Sequence, residues 1–160
     1  MATDREFLRH TLATLAYRGA KATRGCTPEA ASFRAGPTTR TPLEILAHIG
    51  DLMDWGLSMA AGKEKWNDAK PLPWDDEVKR FHAALQALDD YLASEARLAV
   101  TPERIFQGPI ADALAHVGQI NTLRRIGGAP VKGENYSRAG IETGRVGADQ
   151  KPANPRNEFN

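Results

Sequence analysis

The sequence has little of several features that would settle its class at once. Its only cysteine is Cys26, so no disulfide can form within the chain, and this favours a cytoplasmic location. No stretch approaches the roughly 20 apolar residues needed to span a bilayer. Residues 1–14 carry charged side chains where a signal peptide would be apolar. We therefore expect a soluble cytoplasmic protein that has no membrane partner.

The chain also lacks a strong charge of either sign. Its 21 Lys and Arg residues are balanced by 20 Asp and Glu residues, which leaves a formal net charge of +1. Because it has neither a broad positive field nor a basic stripe with interleaved aromatics, we expect no nucleic-acid partner. Hydrophobic residues make up 41% of the 160 residues, which favours one folded domain.

What the sequence does have is apolar residues at helical spacing in four segments. Two segments begin with a capping box, in which a Thr and a Glu three residues later satisfy free backbone amides: Thr3 with Glu6, and Thr41 with Glu44. In the last segment, Pro109 suits the first helical position. The predicted helices run from Thr3 to about Thr23, from Thr41 to about Ala61, from Asp75 to about Arg97, and from Gly108 to the Gly127 and Gly128 pair.

Four such helices predict an all-α fold, most simply a four-helix bundle over residues 1–130. The connections after the first and second helices are long, about a dozen residues or more, so a crossover topology is open. No segment alternates with the period of a strand, and we expect no sheet. Residues 131–160 are rich in Gly, Asn, Arg, Lys and Pro and predict an extended polar tail laid over the bundle, with disorder as the alternative.

Polar side chains fall on or beside the apolar faces of two predicted helices. His48 lies on the apolar stripe of the second helix, so its imidazole is expected to point inward. Asp112 and His116 are four residues apart on the fourth helix, and Gln119 follows three residues later on the same face, so we expect the three to form a polar strip in the core. Buried polar groups need a partner. Two imidazoles and a carboxylate suit Zn, Ni or Fe and leave positions open for water or substrate.

Each of these residues also has a structural interpretation. Asp112 stands in the first turn of its predicted helix, where the helix dipole stabilises a carboxylate without any metal. A single His on an apolar face is often a hydrogen-bonded core group. The other two histidines, His10 and His82, fall beside the apolar stripes, and we expect both at the surface or its rim.

Two of the predicted helices carry motifs of a known family. The fourth contains GPIADALAHVGQI at residues 108–120, followed by NTLRRIGGAP at residues 121–130, and the second contains EILAHIGDL at residues 44–52. These segments resemble the fourth and second helices of the DinB/YfiT-like superfamily. The likeness covers about residues 5–130 and, through GENY at residues 133–136, part of the tail.

The resemblance implies a metal centre. Members of that superfamily form a four-helix bundle with an unusual connection order, are often dimeric, and hold a divalent metal between the second and fourth helices, usually with three histidines. His48 matches the second-helix ligand, and His116 matches the later histidine of the fourth-helix His-x-x-x-His pattern. Asp112 stands where the earlier histidine would be. A carboxylate is a harder, charged ligand, so the metal stays open among Zn, Ni and Fe.

The resemblance also implies a choice of functions. Some members transfer low-molecular-weight thiols or isomerise a substrate through a thiol cofactor, and others are described as metal-dependent hydrolases. In such an enzyme the ion would activate a bound water or a thiol cosubstrate, with Gln119 and Asp51 as orienting groups. The alternative for Asp51 is a solvated surface position. The alternative for the whole protein is a non-catalytic bundle that keeps the polar column as a hydrogen-bonded core feature or binds a small molecule without turning it over. In either case the resemblance implies a homodimer and leaves the small-molecule substrate unknown.

Overall fold

The computed structural model describes residues 3–160, which are mostly helical, and the predicted all-α class is confirmed. The helices are α1 (Asp4–Thr23), α2 (Pro28–Ala31), α3 (Pro42–Ala60), α4 (Trp74–Ala93), α5 (Pro102–Ile105) and α6 (Ala111–Ile126). A π-helix, Phe106–Ile110, joins α5 to α6 with helical backbone throughout, so the three pieces form one rod. Within residues 3–160, no helix combines the length and the apolar character needed to cross a membrane.

Both predicted capping boxes are present and set the starts of α1 and α3. The hydroxyls of Thr3 and Thr41 accept from the backbone amides three residues on, and the two Glu carboxylates each accept a return bond of 2.7 Å. The end of α4 comes at Ala93, earlier than the predicted Arg97. The guanidinium of Arg5 binds carbonyl oxygens of Leu92, Ser94 and Ala96 there, because the last carbonyls of a helix need donors from elsewhere.

The predicted start of the fourth helix is wrong. The rod begins at Pro102, and Pro109 lies inside the π-helix rather than at a first helical position. Proline cannot donate a backbone hydrogen bond, and a wide π turn is a common way for a helix to continue past such an interruption. Gly56 of α3 faces this turn, and a Cβ added there would lie 3.1 Å from Cγ of Pro109. Asp112 is therefore roughly three turns inside the rod, too far from its start for the dipole interpretation.

The long helical segments pack side by side around one apolar core. The rod formed by α5, the π-helix and α6 packs against α1 and α3, and α4 packs against α1 and α3 from the other side. The core contains the following fully buried side chains: Leu12, Leu15, Ile49, Met53, Phe81, Leu85, Leu88, Ile110 and Ile120. Packing of α3 directly on α6 brings the two helices with the candidate ligands together.

The tail crosses the helices and contributes buried residues. Strand β1 (Gly133–Glu134) pairs with β2 (Glu158–Phe159) in an antiparallel ladder, so the expectation that no sheet forms fails at this one small element. Val146 is fully buried, and its carbonyl oxygen lies 2.9 Å from Nδ1 of His82. His82 is only 6% exposed, which makes its predicted surface position wrong, because the tail covers this part of α4. His10 is exposed, as predicted.

Candidate metal centre

His48 on α3 meets Asp112 and His116 on α6 in the groove between these two helices. The Oδ2 atom of Asp112 lies 3.8 Å from Nε2 of His48 and 3.5 Å from Nε2 of His116. The two imidazole rings have centroids 4.7 Å apart and planes at 89°. The structure thus brings together the three side chains that the sequence suggested as ligands, and we call them the metal group.

The metal group has the spacing that a cation site needs. One ligand atom from each residue lies within 4.8 Å of the other two. A tetrahedral zinc ion with bonds of about 2.0–2.1 Å separates its ligands by roughly 3.3 Å, so the two distances to Asp112 are only slightly longer than this geometry. Two imidazoles and one carboxylate suit zinc or iron and leave coordination positions free. His48, Asp112 and His116 could therefore hold a metal ion.

The metal group lies at the surface rather than inside the core. The side chain of Asp112 is 50% exposed, whereas those of His48 and His116 are 19% and 14% exposed. The expectation of a polar strip within the core is therefore wrong. Ala113 and Val117, each one position further along α6, form its buried face, so Asp112 and His116 are turned toward the edge of the α3–α6 contact. This position leaves the group open to ligands from solvent.

The protonation state of His48 also favours metal binding. Burial lowers the pKa of its imidazole, and the neighbouring His116 and the positive charge of Arg40 lower it further. A lowered pKa keeps the ring neutral near physiological pH, with a nitrogen lone pair free to bind a cation.

Gln119 lies where a residue that orients His116 would be needed. Its Oε1 atom is 2.7 Å from Nδ1 of His116. If Nδ1 carries the proton and donates to this oxygen, Nε2 keeps its lone pair and faces Asp112. The predicted orienting role stays a prediction, but the contact on which it depends is present.

Asp51 has a different environment from the one expected. It is only 3% exposed, so the alternative of a solvated position is wrong. One carboxylate oxygen accepts a hydrogen bond from Arg80, and the other accepts one from the amide of Ala69 at 3.2 Å. Among residues 3–160, no hydrogen bond links Asp51 to His48. Its carboxylate helps to hold the connection between α3 and α4 in place, and its negative charge partly offsets the lowering of the His48 pKa.

Trp66, in the connection between α3 and α4, is a site neighbour that the sequence reasoning missed. Its ring meets His48 edge-on, with centroids 5.5 Å apart, while remaining 43% exposed. The ring of Trp55 meets that of Trp66 edge-on with centroids 6.0 Å apart, and Nε1 of Trp55 donates to Glu64 at 3.2 Å. Nothing in the spacing of this aromatic, proline-rich connection pointed to His48.

Two clefts give access to the metal group. The first, about 460 Å³, is lined by His48 and Arg34, and the second, about 670 Å³, is lined by His116 and Gln119. Arg40, just before α3, lines both. Volumes in this range suit small organic molecules.

Comparison of the chain with protein-family models, with curated proteins and with solved structures found no match. The likeness to the DinB/YfiT-like superfamily therefore stays a prediction that depends on the motifs around His48 and His116. The spatial arrangement of the metal group does not depend on that likeness.

Proposed function

We propose that this protein is a metal-dependent enzyme built as a four-helix bundle of the DinB/YfiT type. One divalent ion, Zn, Ni or Fe, would bind between α3 and α6 with His48, Asp112 and His116 as ligands. The observation that supports this most is the convergence of three ligand atoms from two helices within 4.8 Å of one another. A lone pair facing another lone pair is unfavourable, and a shared cation removes that cost.

The chemistry follows from the ligand set. When bound, the ion would act as a Lewis acid that lowers the pKa of a bound water or of a low-molecular-weight thiol cosubstrate. His48 would bind as the neutral ring that its lowered pKa favours. Gln119 would hold Nδ1 of His116 as the proton-bearing nitrogen, and Trp66 would limit water access beside His48. The reaction class is hydrolysis or a thiol-dependent transfer or isomerisation of a small molecule.

Metal analysis of the untagged protein tests this proposal. The wild type, supplied with zinc and then freed of excess metal, should retain about one equivalent, and His48→Ala should fall to background because one of its three ligands is gone. His10→Ala is the matched control, since His10 is exposed and its Nδ1 lies 3.1 Å from Thr143 instead. A wild type without zinc, or a His48→Ala protein that retains it, would contradict the proposal.

A second candidate function is a small-molecule-binding bundle without turnover. The observation in its favour is that Oδ2 of Asp112 lies within ion-pair distance of both imidazoles, which would hold the group together if a ring were protonated. The same metal analysis separates the two candidates.

We also propose a homodimer, on the motif likeness alone, and sedimentation analysis of the wild type tests it.

A further inference from the structure

The second cleft has an uneven distribution of polarity. One end is formed by His116 of the metal group and by Gln119, and Ile45 and Leu123 supply an apolar wall. Among the described residues that line it, Arg40 is the only Lys, Arg, Asp or Glu. The cleft therefore combines a metal-ligating end, an apolar surface and a single cation.

The guanidinium of Arg40 has no counter-ion in the described part of the chain, whereas neighbouring arginines do. Arg34 pairs with Glu44 at 2.8 Å. Arg80 pairs with Asp51 and also with Asp54, the latter at 3.1 Å. No ion pair of Arg40 occurs within residues 3–160, so its donors are free for a ligand.

The charges that line the first cleft do not favour an anion over a cation. Arg34, Arg40 and Lys70 line it together with Glu44, Asp51 and Asp68, so positive and negative side chains are equal in number. A charged ligand would meet attraction and repulsion there in similar measure. The second cleft is the one in which charge favours an anion.

We propose that the second cleft binds a small organic acid, with its carboxylate on Arg40, its apolar body along Ile45 and Leu123, and its reactive end at the metal beside His116. The planar guanidinium matches a carboxylate with two parallel hydrogen bonds, and the apolar wall excludes water from the body of the ligand. This inference rests on the metal centre proposed above and names the substrate class of that same site.

The test uses cobalt as the metal and simple thiols as probes. Binding of Co²⁺ is first recorded from its visible absorption, and a thiolate-to-cobalt absorption band then reports each thiol at the ion. Mercaptohexanoate is compared with mercaptohexanol, and mercaptopropionate with mercaptopropanol, because the members of each pair differ only in the terminal carboxylate. We expect about a fivefold preference for the acid in at least one pair, the size of a partly exposed charge pair.

The variants assign the preference to one residue. Arg40→Gln should bring the acid and alcohol affinities together, since it removes the cation, and added salt should weaken the wild-type preference. Arg34→Gln is the matched control and should keep the preference, because Arg34 lines only the first cleft and is already paired. Circular dichroism checks that both variants are folded.

The outcomes separate this inference from the proposed function. Cobalt binding without a preference for either acid, or with a preference that survives in Arg40→Gln, would overturn the organic-acid proposal and leave the metal centre standing. Failure of the wild type to bind cobalt would overturn both.

Discussion

Two groups of polar side chains in this protein differ in whether their members satisfy one another's hydrogen bonds and charges. The first, which we call the tail tie, joins α1 to the tail: Lys21 lies 2.8 Å from Glu134 and 2.9 Å from Glu158, and the Tyr17 hydroxyl donates to Glu134 at 2.8 Å. The second is the metal group, in which three potential ligand atoms face one another. In the tail tie the donors are paired with carboxylate acceptors, whereas the metal group would be stabilised by a cation bound from solution.

The protonation states of the two groups follow the same division. Burial alone would lower the pKa of Lys21, but its hydrogen bonds to Glu134 and Glu158 outweigh that effect and raise the pKa. Burial and the bond to Glu134 likewise raise the pKa of Tyr17. The donors of the tail tie therefore keep their protons, while the lowered pKa of His48 favours the deprotonated ring that a metal binds.

The largest expected effect comes from breaking the tail tie. Lys21→Met should lower the free energy of unfolding by roughly 3 kcal/mol or more, because it leaves the buried carboxylate of Glu134 without its cation. Urea denaturation measures this, and zinc binding should be unchanged. Lys79→Met is the control: Lys79 is 77% exposed in its pair with Asp76, and we expect a change below about 0.5 kcal/mol. Equal losses in both variants would refute the distinction drawn here.

A smaller effect, on metal affinity alone, is expected when the support of the metal group is removed. Gln119→Leu should weaken zinc binding by about tenfold or more, since His116 loses the oxygen that would accept a proton from Nδ1 and leave Nε2 free for the metal. Competition with a chromophoric chelator measures the affinity. Gln119→Glu retains an acceptor oxygen and should restore most of it. Urea denaturation of the metal-free Gln119→Leu protein should match that of wild type, and a large loss of stability would instead assign Gln119 a role in folding.

The pH dependence of the free energy of unfolding tests a second contact of the tail, the one between Val146 and His82 of α4. Burial lowers the pKa of this imidazole, and the bond to the Val146 carbonyl offsets this only in part. The unfolded chain takes up the proton near the ordinary pKa of about 6.5, so stability is complete above that pH and is lost as the pH falls through the lowered folded-state pKa. Urea midpoints of metal-free protein between about pH 7.5 and about pH 5 should fall less in His82→Gln than in wild type. Parallel midpoint curves for the two proteins would contradict the assignment.

The smallest expected effect is a gain in stability beside the metal group. Gly118 lies in α6 between His116 and Gln119, and a Cβ added there would meet no atom within 4 Å. Gly118→Ala should therefore raise the free energy of unfolding by roughly 0.5–1 kcal/mol, measured by urea denaturation, and leave zinc affinity unchanged. Gly19→Ala is the contrasting variant: its Cβ would lie 2.5 Å from Cζ of Phe81, so it should destabilise the protein. A destabilised Gly118→Ala protein would show that this edge is packed as tightly as the core.

Local signals in the sequence predicted much of this arrangement. Each capping box depends on two side chains and the amides beside them, and both α1 and α3 begin where Thr3 and Thr41 predicted. The pairing of Asp112 with His116 follows from the helical repeat within one segment, so its geometry could be expected without knowing the fold. Their meeting with His48 could be proposed because buried polar groups on two helices need a shared partner, and the likeness to a known family strengthened that proposal.

Features that depend on distant parts of the chain could not be predicted in this way. Pro109 is a good first residue of a helix, but in the structure the helix begins earlier, at Pro102, and the ring of Pro109 lies beside Gly56 of α3. His82 is buried by Val146, which lies 64 residues later in a segment without any periodic pattern. Trp66 reaches His48 because Asp51 and other side chains hold its irregular connection, and no repeat along the sequence encodes that path.

The π-helix at Phe106–Ile110 has a consequence for how the ligands are aimed. A π turn amounts to one extra residue in an α-helix, and each residue advances an α-helix by about 100°. Because each residue of the wide turn advances by fewer degrees, the turn absorbs this rotation, and Asp112 and His116 keep nearly the direction that an uninterrupted helix one residue shorter would give them. The extra residue therefore lets one rod seat the ring of Pro109 beside α3 and still bring both side chains to His48.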